Sequence, residues 1–232
     1  MKNCHTLQPF ASGRIDAKLA AMLEMNRRSC MAAFVAATVT GCAWHSTAAQ
    51  TQTGIVRVVF ATGAGAISLD LFADRAPITT ANFLKYIDLH LFDAATIYRA
   101  LRTPGAPQTG LIQGGARFDS RREIKPIAHE STILTGLAHK DGVISLARRE
   151  LGSARSDFFI CVGDASYLDA DPKAPGDNQG FAAFGRVVEG MDVVRKILSQ
   201  PTSATAPIPE MAGQMLDPPV PILTARRAAP NL

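Results

Sequence analysis

The stretch IVRVVFATGAGAISLDLF, residues 55–72, decides between two very different folds. Glycines at 63 and 65 invite the reading of a phosphate-binding loop, which joins a strand to a helix. Here the glycines lead instead into Ala66, Ile67, Ser68, Leu69, Asp70 and Leu71, where apolar and polar residues alternate. Period-two alternation marks a half-buried strand, because successive side chains point to opposite faces. Residues 55–62 alternate in the same way, so the whole stretch reads as a β-hairpin turning at its glycines. The folded part of the chain opens with antiparallel strands.

Working outward, four more short apolar runs are separated by Gly-, Pro- and Asp-rich loops: GVISLA (142–147), DFFICV (157–162), FAAFGRVV (181–188) and PILTARR (221–227). Two segments switch to helical spacing. RAPITTANFLKYIDLHLF (75–92) has Pro77 suited to a first helical turn and Phe83, Leu84, Ile87 and Leu91 on one face. MDVVRKILSQ (191–200) follows Gly190 and stops before Pro201. Many short strands with two helices predict an all-β barrel whose ends are plugged by helices.

The chain has 232 residues, 47% hydrophobic and 19% charged, enough for one domain with an appendage. Its net charge of +4 is unevenly placed. Residues 1–42 hold five of the 24 Lys and Arg and two of the 20 Asp and Glu. The remainder is left with 19 basic and 18 acidic residues, close to neutral, and carries no electrostatic footprint for nucleic acid. From Met25, the sequence MNRRSCMAAFVAATVTGCAWHSTAAQ has two arginines, an apolar run over residues 30–39, then small residues. That is the layout of a secretory signal, and the run is too short for a permanent membrane span. Residues 25–49 are therefore read as a signal peptide and residues 50–54 as a linker. Residues 1–24 have no clear organisation and are read as an over-extended translation start. VTGC, residues 39–42, resembles the bacterial lipobox, which would anchor the protein through Cys42; TAA before Gln50 offers ordinary cleavage instead. The expected location is periplasmic or exported.

Of Cys4, Cys30, Cys42 and Cys161, at most the last two survive such processing, and no CxxC or metal spacing exists. Cys161, inside FFICV, reads as a buried core thiol. The loop DASYLDADPKAPGDN (164–178) has four aspartates, but not the spacing of a calcium loop, and reads as a solvated turn-rich segment. His129, Ser131, His139 and Asp141 can be assembled on paper into a hydrolase triad, yet no nucleophile elbow accompanies them.

Three blocks carry more than composition. YRALRTPGAPQTGLIQGG (98–115), GVISLARRELGSARSDFFICVGDASYLD (142–169) and GFAAFGRVVEGMDVV (180–194) resemble consecutive blocks of the cyclophilin family of peptidyl-prolyl cis-trans isomerases. PITTANFLKYI (77–87) resembles the family's first helix, and the likeness runs over residues 55–227, leaving 228–232 as a tail. The resemblance implies a closed eight-stranded antiparallel barrel capped by two α-helices, with an outer groove for proline-containing polypeptides. It implies no cofactor and no metal, and a monomer is expected. Arg99 takes the family's catalytic arginine position and Gln113 its groove glutamine. Ala147 and Arg148 take groove positions, the second usually asparagine. Phe159 and Leu168 are similar to two walls of the proline pocket, and Leu111 stands where methionine is frequent. Tyr167 replaces a common tryptophan, Phe181 a common histidine and Asp157 a usual glutamine. The frequent pocket phenylalanine before Leu111 aligns with Gly110, in a stretch several residues longer than the family's.

Alternation within DFFICV places Phe158, Ile160 and Val162 on one face and Asp157, Phe159 and Cys161 on the other. One face must be the barrel interior, so Phe159 reaches a groove only from the outside. The implied chemistry explains why the block around Arg99 lacks a nucleophile and a base: rotation about an X-Pro bond breaks no covalent bond. A runner-up reading is a proline-peptide-binding chaperone or scaffold with weak or no turnover. A small-ligand barrel is disfavoured because the strands read as filled by side chains.

Overall fold

A computed structural model describes residues 54–116 and 119–229 of the chain. Residues 1–24, the signal-like segment 25–49 with Cys42 and the lipobox-like 39–42, the linker up to residue 53 and tail residues 230–232 lie outside the described residues.

The opening hairpin forms as read. β1 (Ile55–Thr62) and β2 (Gly65–Phe72) pair from Ile55 opposite Phe72 to Thr62 opposite Gly65. The Thr62 hydroxyl donates to the Gly65 carbonyl at 2.6 Å and accepts from the Ala64 amide at 3.1 Å, which closes the turn. β2 departs from a half-buried strand in that Ser68 and Asp70 are buried as well as Ile67, Leu69 and Leu71. The cause is its place between β1 and β7, whose long polar side chains cover its outer face. Arg57 makes a bidentate pair with Asp70 at 2.7 and 3.0 Å, and Ser68 donates to Glu189 at 3.0 Å.

Seven further strands follow: β3 (Thr96–Thr103), β4 (Ala106–Gly115), β5 (Val143–Leu146), β6 (Phe158–Val162), β7 (Ala182–Glu189), the two-residue β8 (Thr202–Ser203) and β9 (Met215–Arg227). Their order is β1-β2-β7-β5-β6-β4-β3-β9, and β9 returns to pair with β1. Eight antiparallel strands thus close into a barrel, with β8 added beside β9. Closure leaves the main strands without a free edge.

β9 extends beyond PILTARR into MLDPPV, a stretch that looks unfit for a strand because proline cannot donate to a ladder. A register shift accommodates it. Ile97 faces Val220 but Arg99 faces Met215, so residues 216–219 drop out of the β3 ladder; Leu216 is buried in the core, whereas Pro218 and Pro219 stay exposed.

Helix α1 (Pro77–Asp88) begins with Pro77 in its first turn, as the sequence indicates. It has no side-chain cap of its own. Instead the buried Glu130 carboxylate accepts from the Ile78 and Thr79 amides at 3.1 and 2.7 Å. Phe83, Leu84 and Ile87 are buried, whereas Leu91 falls in the turn after the helix and packs only partly on the core. A one-turn α2 (Thr132–Thr135) intervenes before α3 (Met191–Leu198), which buries Val194, Ile197 and Leu198. Inside the barrel Phe83 packs at 5.0 Å from Phe92, 5.0 Å from Phe184 and 5.6 Å edge-on from Phe158. The interior is filled by side chains.

Candidate active site

β3 carries a bulge where it matters. Ile97 pairs with Gly114 and Arg99 with Gln113, so the register shifts by one residue at Tyr98. Ile97 and Ala100 both belong to the interior cluster, which leaves Tyr98 and Arg99 as consecutive residues outside it. Bulges re-aim side chains in this way. The Tyr98 hydroxyl donates to Asp157 Oδ2 at 3.0 Å, and Arg99 Nη1 donates to Gln113 Oε1 at 2.8 Å.

The two faces of β6 separate as the alternation requires. Phe158, Ile160 and Val162 join the barrel interior. Phe159 and Cys161 form a second, outer cluster with Leu111 and Ala165, against which Leu101, Ala147, Leu168 and Phe181 pack. Phe159 meets Phe181 edge-on at 5.4 Å and stacks on the His139 ring at 5.8 Å. Cys161 is free and wholly buried, and burial pushes its thiol up to about 12, so it is packing and not a nucleophile.

A groove of about 870 Å³ runs over this cluster. Arg99 and Gln113 line it together with Leu111, Ala147, Phe159 and Leu168. Arg148, Asp157 and Phe181 line it too. Tyr167 does not: the 3-10 turn of residues 166–168 directs Leu168 toward the groove and leaves Tyr167 69% exposed.

Arg148 is a wall, not a probe. Nε and Nη2 donate to the Gly180 carbonyl at 2.9 and 2.6 Å, and Nη1 and Nη2 to the Asp177 carboxylate at 2.5 and 2.8 Å. The guanidinium lies 5.5 Å from the centroid of Phe181. Its side chain is buried, so it fastens the aspartate-rich loop to the groove. The hydrogen bonds from Arg148 lower the Asp177 carboxyl to about 2.

The QGG of residues 113–115 is a strand end and not a hairpin turn; the turn of β3–β4 comes at residues 104–105, where the stretch is long. Gly115 has φ +147°, and a Cβ there would stand 2.4 Å from Asp157 Oδ1. Glycine lets β4 pass close against the Asp157 side chain.

Each loop aspartate has its own protein partner: Asp164 binds Lys140, Asp169 binds His139, Asp171 accepts from the Lys173 amide, and Asp177 binds Arg148. Nor does the paper triad assemble. Asp141 accepts from Arg195 and the Gly163 amide, and His129 faces the Gln179 carbonyl. His139 instead sits between Asp169 (Nδ1, 2.6 Å) and Ser145 (Nε2, 3.0 Å), with neither His139 nor Ser145 exposed.

Two parts of the groove carry no residue that a sequence motif singles out. Ile208, Glu210 and Met211 form one wall, on the segment between α3 and β9, which has no periodicity to flag it. Glu123, Arg149, Ser153 and Arg155 add a polar lining. Arg155 is anchored there by donating to the Ile124 carbonyl at 3.1 Å, with Glu123 at 3.9 Å.

Residues 57–224 match the family model described as cyclophilin type peptidyl-prolyl cis-trans isomerase/CLD. The chain belongs to this family. Among curated relatives, a peptidyl-prolyl cis-trans isomerase of Acinetobacter baylyi is 35% identical over 147 residues, 61% of this chain and 71% of the relative. Peptidyl-prolyl cis-trans isomerase A of Dickeya dadantii is 35% identical over 165 residues, 69% of this chain and 78% of the relative. A crystal structure of a Cryptosporidium parvum cyclophilin-type isomerase, determined in the presence of the dipeptide Ala-Pro, superposes with a TM-score of 0.59. It covers 75% of this chain and 99% of its own at 16% identity, and so shows the shared fold. The closed barrel with its helical caps is the cyclophilin architecture.

Proposed function

We propose that the outer groove receives an extended polypeptide around a proline and that Arg99 assists rotation about the preceding peptide bond. The chain is a peptidyl-prolyl cis-trans isomerase by family. The observation that carries the site assignment is the Arg99 guanidinium, held by Gln113 at 2.8 Å beside the apolar floor of Leu111 and Phe159.

Rotation is opposed by about 18–20 kcal/mol of amide resonance. In the twisted state the prolyl nitrogen regains a lone pair, and a donor aimed at it favours that state over both planar forms. Arginine stays charged at all working pH and suits the role. Uncatalysed exchange takes tens to hundreds of seconds. Turnover near 10³ per second therefore asks for about 7 kcal/mol. One well-placed donor contributes about 3–4 kcal/mol. The groove must supply the rest by desolvating the bond and gripping the ring, for which Leu111, Phe159, Leu168 and Phe181 are the apolar surface.

The protein should accelerate cis-to-trans exchange of an Ala-Pro-Phe peptide, and Arg99→Ala should lower the rate by about a hundredfold or more. Peptide held by wild type without acceleration would favour the binding-only reading, for which Asp157 is the motive: a carboxylate in the groove where the family has an amide. Unchanged activity in Arg99→Ala would remove the arginine from the mechanism.

The signal-like residues 25–49 support a further reading, that the clients are exported proteins folding in the periplasm, with the lipobox-like residues 39–42 offering an anchor through Cys42.

A further inference from the structure

Gln214 lies between α3 and β9, within the matched region but in none of the motif blocks at 77–87, 98–115, 142–169 and 180–194, yet it touches the central guanidinium. Its amide oxygen accepts from Arg99 Nε at 2.8 Å and from Arg99 Nη2 at 2.5 Å. Gln113 takes Nη1 from another strand. Of the five N–H groups on an arginine, three are thus committed to two amide oxygens approaching from different elements. Two acceptors on distinct edges of a planar fork define its plane as well as its position.

Gln214 is itself held. Its carbonyl accepts from the Ala100 amide at 2.8 Å, next in sequence to Arg99, and its own amide donates to the Met211 carbonyl at 3.0 Å. Its side-chain nitrogen donates to the Glu210 carbonyl at 3.2 Å. That contact decides which way the amide points. Reversed, it would set NH₂ against the guanidinium N–H groups and oxygen against a carbonyl, two repulsive contacts in place of attractive ones. The register shift that seats Met215 opposite Arg99 is what brings Gln214 to this place.

We infer that Gln214 is a positioning residue for the isomerase reaction, fixing the plane of the Arg99 guanidinium so that its donors face the prolyl nitrogen as the bond twists. This rests on the assignment of Arg99 above. Both amide acceptors are neutral, so neither cancels the charge that the reaction uses. The groove-lining Ile208 and Met211 stand on the same segment, so the wall that faces the peptide and the brace on the arginine are one structural unit.

The test is Gln214→Met, which removes the acceptor at nearly constant volume. Exchange rate, peptide dissociation constant, melting temperature and the solvent exchange of the Arg99 Nε–H proton by NMR would be compared in the full chain. The expected result is a fall of about tenfold in rate at saturating peptide with affinity changed less than about twofold. The melting temperature should hold, and the Arg99 Nε–H should exchange faster. A variant as fast as an active wild type, or one whose loss lies wholly in peptide affinity, overturns the inference alone. Wild type that accelerates nothing overturns it together with the proposed function. Should the variant fail to fold, an unprotected Arg99 Nε–H in wild type also overturns it.

Discussion

His139 is fully buried beneath Phe159, with Asp169 on one ring nitrogen and Ser145 on the other. Burial disfavours the imidazolium and lowers its pKa, an effect that Asp169 opposes only in part. The sign follows from linkage. With the folded value below the unfolded value of about 6.5, the unfolded chain binds the proton more readily. The contribution to stability is whole above pH 6.5 or so and is lost as pH falls toward the folded value. The urea midpoint should therefore drop between about pH 7.5 and 5.5, with a flatter profile in His139→Gln. A midpoint that rises on acidification would show that Asp169 dominates. Also at this scale, the family resemblance locates Arg99, Gln113 and Asp157 by number, but not what each touches. Arg148 shows the limit: its position reads as groove-lining, while its hydrogen bonds make it a brace for the 164–180 loop, a partnership 29 residues distant in sequence.

Among the elements, β4 shows how a strand constrains what its positions can carry. Gly110 has φ +142°, and a Cβ there would lie 2.0 Å from the Leu101 carbonyl oxygen. The pocket phenylalanine that alignment would set at this position has no room, and the apolar wall is made by Leu101 and Phe181 instead. Gly110→Ala should cost about 3 kcal/mol, from backbone strain together with the collision. Chemical denaturation would show it, and an unchanged midpoint would mean that β3 can retreat from β4 at little cost. The elements themselves were legible where period and punctuation agree: the β1–β2 hairpin, Pro77 opening α1, and Gly190 preceding α3. β9 was half legible, because Pro218 and Pro219 argue against a strand until the bulge opposite β3 is known.

Across the whole molecule, the export reading stands on residues 25–49 and has its own test. Protein recovered from the periplasm of an expressing bacterium should begin at Gln50 or at a lipid-modified Cys42, by N-terminal mass spectrometry. Recovery only from the cytosol with the leader intact would end that reading. The folded part answers to two kinds of information. Alternation, helical spacing and turn residues determined an all-β barrel with helical plugs, and even the division of DFFICV into an inner and an outer face, because each is a local consequence of backbone geometry. Which side chains meet on the outside was decided by the tertiary structure alone. The bulge at Tyr98 turns two neighbours outward, the register shift in β9 delivers Gln214 to Arg99, and the segment 208–211 walls a groove that it never adjoins in sequence. Register and loop placement depend on contacts summed over the whole closed barrel, and no local pattern in the chain records them.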